Sequence, residues 1–195
     1  MKERKKFDTS SWSLYVDKVH FYAYWEKAFS PEECKIIIDV AKKKGLLNAQ
    51  TLGNISNYRN SKLCWLYSQD GLQWAFKRLT DIVLNLNERF FQFDLFGLNE
   101  GLQFTNYKAP SGEYRKHIDR AANFPVRKLS LSVQLTNPKK YKGGDLILHD
   151  SENKTMKKEQ GTLILFPSYI LHEVTPVTKG ERNSLVTWVT GKQFK

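Results

Sequence analysis

Apolar positions divide the chain into two textures. In the first, Ile36, Ile37, Val40 and Ala41 repeat at helical spacing behind Ser30-Pro31-Glu32-Glu33, a capping box with proline at the first helical position, and Gly45 ends the run. A second helical stripe carries Leu72, Ala75, Leu79, Ile82, Val83, Leu86 and Phe90, with Asp70 as its expected cap. Residues 46–64, rich in Asn, Ser, Thr and Gly, read as a loop between the two helices. Residues 12–28 mix aromatic and polar positions as a strand or two would, and residues 1–11 read as a frayed basic start. After Phe91 the period shortens. Alternating runs at 102–107, 113–118, 129–136, 145–149, 162–166 and 183–190, separated by turn residues, predict an all-β half. Helices gathered before the strands would pack on one face of a sandwich or barrel.

Composition narrows the class. The 195 residues are 41% hydrophobic and 13% aromatic, enough for one domain, 1–195, with its own core, and unlike a disordered chain. Within it, 12–90 is expected to form a helical support and 91–195 the β core. No apolar run is long enough for a membrane span, and no signal-peptide pattern follows the basic opening. Cys34 and Cys64 lack disulfide or thiolate-metal spacing and are expected as reduced, partly buried thiols in a cytoplasmic setting. The formal charge of +11 favours acidic partners without specifying a fold.

The candidate chemistry lies in four histidines, His20, His117, His149 and His172. His117 and Asp119, two apart on an expected strand, share a face and offer an imidazole and a carboxylate to one divalent metal. His172, at the end of the apolar run 162–167, is the natural third ligand. Together they would form the facial triad with open positions that suits non-haem Fe(II). Arg182, on the last strand, offers a bidentate site for a carboxylate. His149 is expected to be a pleat-exposed side chain at a strand end, and His20 is assigned no role. Gly143-Gly144 reads as a hairpin turn, the lysine runs as solvated faces, and Arg59 and Arg120 as residues that could meet an acidic substrate.

From Leu102 onward the chain resembles the 2-oxoglutarate- and Fe(II)-dependent dioxygenases, closest to the prolyl-4-hydroxylase-like branch of PKHD-type hydroxylases. The resemblance rests on His117-x-Asp119 with Ala121, Leu129-Ser130-Leu131 leading to Asn137-Pro138, Tyr141-x-Gly143-Gly144-Asp145-Leu146, Phe166-Pro167-Ser168, and Leu171-His172-x-Val174-Thr175-Pro176-Val177-Thr178-x-Gly180-x-Arg182. Trp25 to Cys34 resembles the start of that family's N-terminal helix. The resemblance implies a double-stranded β-helix (jelly-roll, cupin-like) core in an α+β, mainly β fold. It implies Fe(II) bound by His117, Asp119 and His172, and 2-oxoglutarate paired with Arg182. Tyr107 and Trp188 would line the co-substrate pocket, Tyr114 would face substrate or co-substrate, and Ser184 shares Arg182's face of its strand. Where related prolyl hydroxylases carry a tyrosine, this chain has Val133 and Gln134. The implied reaction hydroxylates a prolyl or other side chain of a peptide or protein and decarboxylates 2-oxoglutarate to succinate and CO2, with L-ascorbate as an implied auxiliary. Segment 46–64 and the residues after Asp119 are candidate substrate lids. Two alternatives stand beside this expectation. One is AlkB-like nucleic-acid demethylation, whose branch carries a second arginine where this chain has Trp188. The other is a catalytically silent basic module that binds nucleic acid or an acidic protein.

Overall fold

A computed structural model describes residues 20–49, 58–120, 126–150 and 152–193, together with the backbone of 5–9 and 12–16. In chain order its elements are β1 (Lys5–Thr9), β2 (Trp12–Val16), β3 (Ala23–Trp25), α1 (Pro31–Lys44), β4 (Leu47–Asn48), β5 (Arg59–Asn60), β6 (Lys62–Leu66), α2 (Gln73–Leu86), β7 (Leu95–Gly97), β8 (Leu102–Lys108), β9 (Gly112–His117), β10 (Arg127–Gln134), β11 (Tyr141–Gly143), β12 (Leu146–His149), β13 (Asn153–Thr155), β14 (Leu163–Pro167) and β15 (Leu171–Gly191). The two helices precede the antiparallel β half, which is the mainly β architecture expected. No helix of the described residues is long and apolar enough to cross a membrane.

β15 organises the β half because it belongs to two sheets. Its C-terminal part pairs with β8 and β10 in a larger sheet ordered β3-β14-β10-β15-β8-β6-β4. Its N-terminal part pairs with β9, β11 and β12 in a smaller one. β9 runs beside residues 172–177 of β15 and β8 beside residues 181–186, so this ribbon passes from one sheet into the other at a corner between them. On the β15 side the corner is Gly180, whose φ of +75° few side chains adopt. A Cβ there would lie 2.2 Å from the Lys140 carbonyl oxygen.

Alternation then assigns each face of the larger sheet. On β10, Leu129, Leu131 and Val133 join Leu163 and Leu165 of β14 and Leu185 and Val189 of β15 in a core shared with Cys34, Ile37 and Ala41 of α1 and Ala75, Leu79 and Val83 of α2. The intervening Ser130, Ser132 and Gln134 are equally buried on the opposite face. A strand that is apolar on one side and polar on the other, with both sides buried, separates a core from an internal polar cavity. Helix packing holds the sheet from behind and leaves its front free for chemistry.

Several local expectations change. The second helix begins at Gln73 with Leu72 at its cap position, and Asp70 instead lies in a short 3-10 turn where its carboxylate accepts from the Tyr67 amide and Lys44. Residues 46–64 are not all loop. β4, β5 and most of β6 fall there because short polar strands can add to an existing sheet edge without an apolar signal; residues 50–57 lie outside the described set. Lys5–Thr9, expected to fray, pairs with Trp12–Val16 in a separate two-stranded sheet. Gly143 and Gly144 do not turn a hairpin, because β11 and β12 each pair with β15 and not with each other. Both glycines have positive φ and form a kink between two consecutive partners of one strand.

Candidate active site

Strand register brings the candidate ligands together. His172 of β15 is directly opposite His117 at the end of β9, and their rings lie 4.1 Å apart. Asp119 follows β9, where its amide donates to the Ser168 carbonyl at 3.1 Å and its own carbonyl accepts from Arg127 at 3.1 Å. The result is a cluster in which one ligand atom from each of His117, Asp119 and His172 lies within 4.8 Å of the others. His117 Nε2 is 3.6 Å from Asp119 Oδ1, and His172 Nε2 is 3.4 Å from Asp119 Oδ2.

The surroundings fix which atoms are offered. His117 Nδ1 is 2.7 Å from the Arg115 carbonyl oxygen and His172 Nδ1 is 2.9 Å from that of Ile170. A carbonyl only accepts, so each Nδ1 carries the proton and each Nε2 presents a lone pair to the cluster. Ser130 donates to Asp119 Oδ2 at 2.7 Å, with Ser168 Oγ 3.0 Å from the same hydroxyl. Burial, reinforced by neighbouring His172, pushes the His117 pKa down to about 4, so this ring is neutral at physiological pH. Burial opposes ionisation of Asp119, but coulombic attraction to His172 and His117, with hydrogen bonds from Trp188 and Ser130, outweighs it and holds the carboxyl below its ordinary range. Two imidazole Nε2 atoms and one carboxylate form a donor set that fits a divalent metal of the Fe(II) class.

Polar side chains of the larger sheet line the remainder of a cavity of about 500 Å³. Arg182, 1% exposed, lies at its inner end, opposite Tyr107 in the β8–β15 register, with its guanidinium carbon 5.3 Å from the Tyr107 ring centre. It donates to Gln134 Oε1 at 2.9 Å and contacts Ser184 Oγ at 3.4 Å, and no carboxylate pairs with it among the described residues. Arg182 Nε and Gln134 Nε2 are buried without a hydrogen-bond partner. Burying an unpaired donor costs about 1–3 kcal/mol, so this group is built for an acceptor, and a carboxylate against Arg182 fits it. Gly144 makes the space: a Cβ there would meet Arg182 Cδ at 2.9 Å and Val177 Cγ2 at 2.8 Å.

The candidate metal and co-substrate residues read from the sequence line this one cavity: His117, Asp119, His172, Arg182, Tyr107, Tyr114, Ser184 and Trp188; of the two arginines expected to meet substrate, Arg59 lines it and Arg120 does not. Tyr114 stacks on His117 with ring centres 3.5 Å apart, which limits rotation of the imidazole. Other participants were not evident from motifs. Gln134 is the direct partner of Arg182, Ser130 supports Asp119, and Arg127 joins Asp119 to Glu100 and stacks 3.7 Å over Trp188. The signal for Ser130 and Gln134 was the polar phase of Leu-Ser-Leu-Ser-Val-Gln. Arg127 carries no such signal because a register shift between Arg127 and Leu129 breaks the parity of its strand.

His149 differs from its expected exposure. Its ring is held between Asn153 Oδ1 at 2.6 Å and Glu173 Oε1 at 2.9 Å on neighbouring strands, and its side chain is 9% exposed. It takes no part in the cluster. Of the two candidate lids, Tyr58 and Arg59 reach the cavity wall, while Ala121 and the rest of 121–125 lie outside the described residues.

Comparison with known proteins agrees with this geometry. Residues 102–190 match the family model of the 2OG-Fe(II) oxygenase superfamily. A PKHD-type hydroxylase of Prochlorococcus marinus is 31% identical over 157 residues, covering 77% of this chain and 65% of the relative. One from Nitrosomonas europaea is 31% identical over 114 residues, 54% of this chain and 50% of the relative. The chain thus spans about half the length of the curated relatives it matches. A prolyl-4-hydroxylase of Pseudomonas putida has a similar fold, with a TM-score of 0.71 at 20% identity over 89% of this chain and 94% of that one. So does a Trichoplax adhaerens prolyl hydroxylase solved with a peptide fragment of the hypoxia-inducible-factor oxygen degradation domain, with a TM-score of 0.73 at 18% identity over 88% and 84%. These neighbours identify the fold as the double-stranded β-helix of prolyl hydroxylases. Residues 102–190 thus match the 2OG-Fe(II) oxygenase superfamily, and the curated relatives that the chain resembles are PKHD-type hydroxylases.

Proposed function

We propose that this protein is a 2-oxoglutarate- and Fe(II)-dependent dioxygenase that hydroxylates a side chain, prolyl foremost, of a peptide or protein. One observation carries the reading: a single cavity holds both the His117–Asp119–His172 cluster and a buried Arg182 that has no carboxylate partner among the described residues and an unpaired Nε. Fe(II) held by the three side chains would supply the oxidative chemistry that couples decarboxylation of 2-oxoglutarate, to succinate and CO2, to C–H hydroxylation. The chain's own residues bind, orient and exclude water. Arg182, with Gln134 and Tyr141 beside it, receives the distal carboxylate and fixes the co-substrate's direction. The carbonyls of Arg115 and Ile170 hold the two rings by Nδ1 and leave Nε2 facing the cluster, and Ser130 restrains the Asp119 carboxylate. Tyr114, Phe166 and Trp188 supply an apolar wall that limits the access of water.

A peptide substrate is supported by the fold shared with the Trichoplax protein, whose own structure holds a peptide. The test is succinate formation from 2-oxoglutarate with Fe(II) in air, with proline-containing peptides or single-stranded nucleic acid as candidates. Peptide-stimulated turnover that is abolished in His172→Ala and requires far more 2-oxoglutarate in Arg182→Ala is expected. Stimulation by nucleic acid alone would replace the substrate class, and absence of turnover in a metal-loaded protein would reject the oxygenase.

A further inference from the structure

A second arginine faces the same cavity and the proposed reaction leaves it unused. Arg59 lies on β5, a two-residue strand at the edge of the smaller sheet, with its partner Tyr114 on β9. Its guanidinium carbon is 4.6 Å from the Tyr114 ring centre, and Tyr114 in turn stacks on His117. Arg59 is thus one aromatic ring away from the metal cluster. Its hydrogen bonds go to neutral groups: Ser61 Oγ at 2.8 Å, Gln103 Oε1 at 2.9 Å and Thr105 Oγ1 at 3.4 Å. Among the described residues no carboxylate lies within ion-pair distance of it.

Charge accounting for the loaded cavity isolates this residue. A divalent metal is neutralised by Asp119 and the proximal carboxylate of 2-oxoglutarate, since both histidines are neutral ligands. Arg182 is neutralised by the distal carboxylate, and Arg127 by Glu100 at 2.5 Å. The positive charge that remains in the lining is that of Arg59, one aromatic ring from the metal cluster and in a partly desolvated space where it is screened less than on the surface. Its neutral partners hold the fork in place without consuming its charge, which is the preorganisation a bidentate anion site needs.

We propose that Arg59 determines substrate specificity by pairing with a carboxylate of the substrate, so that the preferred peptide carries Asp or Glu beside the hydroxylated side chain. The inference rests on the oxygenase reading above and adds the substrate's charge.

The test uses one proline-containing peptide synthesised with Glu, Gln or Lys next to the proline. In the Fe(II)- and 2-oxoglutarate-supplied enzyme, the Glu peptide should exceed the Gln peptide by roughly tenfold in kcat/KM, mostly through KM, as a charge-assisted hydrogen bond implies. The Lys peptide should be worst. Arg59→Lys should preserve that order, and Arg59→Glu should invert it, an outcome that loss of structure cannot imitate. The same order should appear in equilibrium binding to enzyme loaded with Zn(II) and 2-oxoglutarate, which needs no turnover. A charge-dependent binding order without any turnover would support the role of Arg59 while rejecting the oxygenase reading. An order independent of peptide charge, or unchanged in Arg59→Glu, would overturn the inference. Tighter competition by a single-stranded oligonucleotide than by the Glu peptide would also overturn it, assigning Arg59 to a phosphodiester.

Discussion

Ser130 and Gly144 show how much of the site depends on atoms that touch neither metal nor co-substrate. Ser130 donates one hydrogen bond to Asp119, and supporting bonds of this kind commonly account for about 10–100-fold in metal affinity. Ser130→Ala should therefore weaken metal binding by about tenfold or more, read by titration with Co(II) and its visible absorption; unchanged affinity would remove the hydroxyl from the site's design. Gly144 acts by lacking a side chain. Gly144→Ala would press a methyl group on Arg182 Cδ and Val177 Cγ2 at a φ of +62°. The expected result is a raised KM for 2-oxoglutarate with metal affinity retained, measured by separate titrations. The His-x-Asp, the later histidine and Arg182 were legible in the sequence because each has few alternative uses in that context. Gln134 was not identifiable as Arg182's partner, since the contact depends on which strands become neighbours.

At the scale of elements, the helices are specified locally and the β half is specified by register. α1 has a complete capping box: the Glu33 amide donates to Ser30 Oγ at 3.2 Å and the Ser30 amide to Glu33 Oε2 at 2.9 Å. The same Glu33 reaches Arg78 of α2 at 2.5 Å, so the cap also ties the helices together. Ser30→Ala should cost about 1 kcal/mol, seen as a fall of roughly 2–4 °C in Tm for a domain of this size. Arg78, foremost, holds the Glu33 carboxyl below its ordinary pKa. The folded-state pKa is thus the lower one, so the pair's contribution is present above the unfolded carboxylate range and fades as pH falls through it. Arg78→Gln should make thermal stability less sensitive to pH between about 5 and 3, where carboxylates titrate; an identical pH slope in both proteins would argue against the pair. The capping box and α1 were readable because their signals are adjacent in sequence. β4 and β5 were not, since two polar residues become a strand only when a sheet edge is there to receive them.

For the whole molecule, the helices and the cavity occupy opposite faces of one sheet, so stability and chemistry are separated by a single layer of backbone. Cys34, 0% exposed, lies in the helix-side core, where burial pushes its thiol up to about 12; burial also raises Cys64. Neither should react with a disulfide reagent such as DTNB while the protein is folded, and both should react on denaturation. Prompt labelling of the native protein would show that this core opens. The mainly β class followed from period alone, but the sharing of β15 between two sheets did not. That feature depends on Gly180 permitting a corner that no alternation pattern encodes.

That corner makes β15 resemble a calliper cut from one piece of material. His172 is on one jaw and Arg182 on the other, and the gap between them is set by a bend within a single strand, not by the relative placement of two domains. On the proposed reading, the co-substrate is gauged by length as well as charge. Oxaloacetate, one methylene shorter, and 2-oxoadipate, one longer, should each engage one jaw and miss the other, and should support little turnover even at concentrations that saturate the enzyme with 2-oxoglutarate.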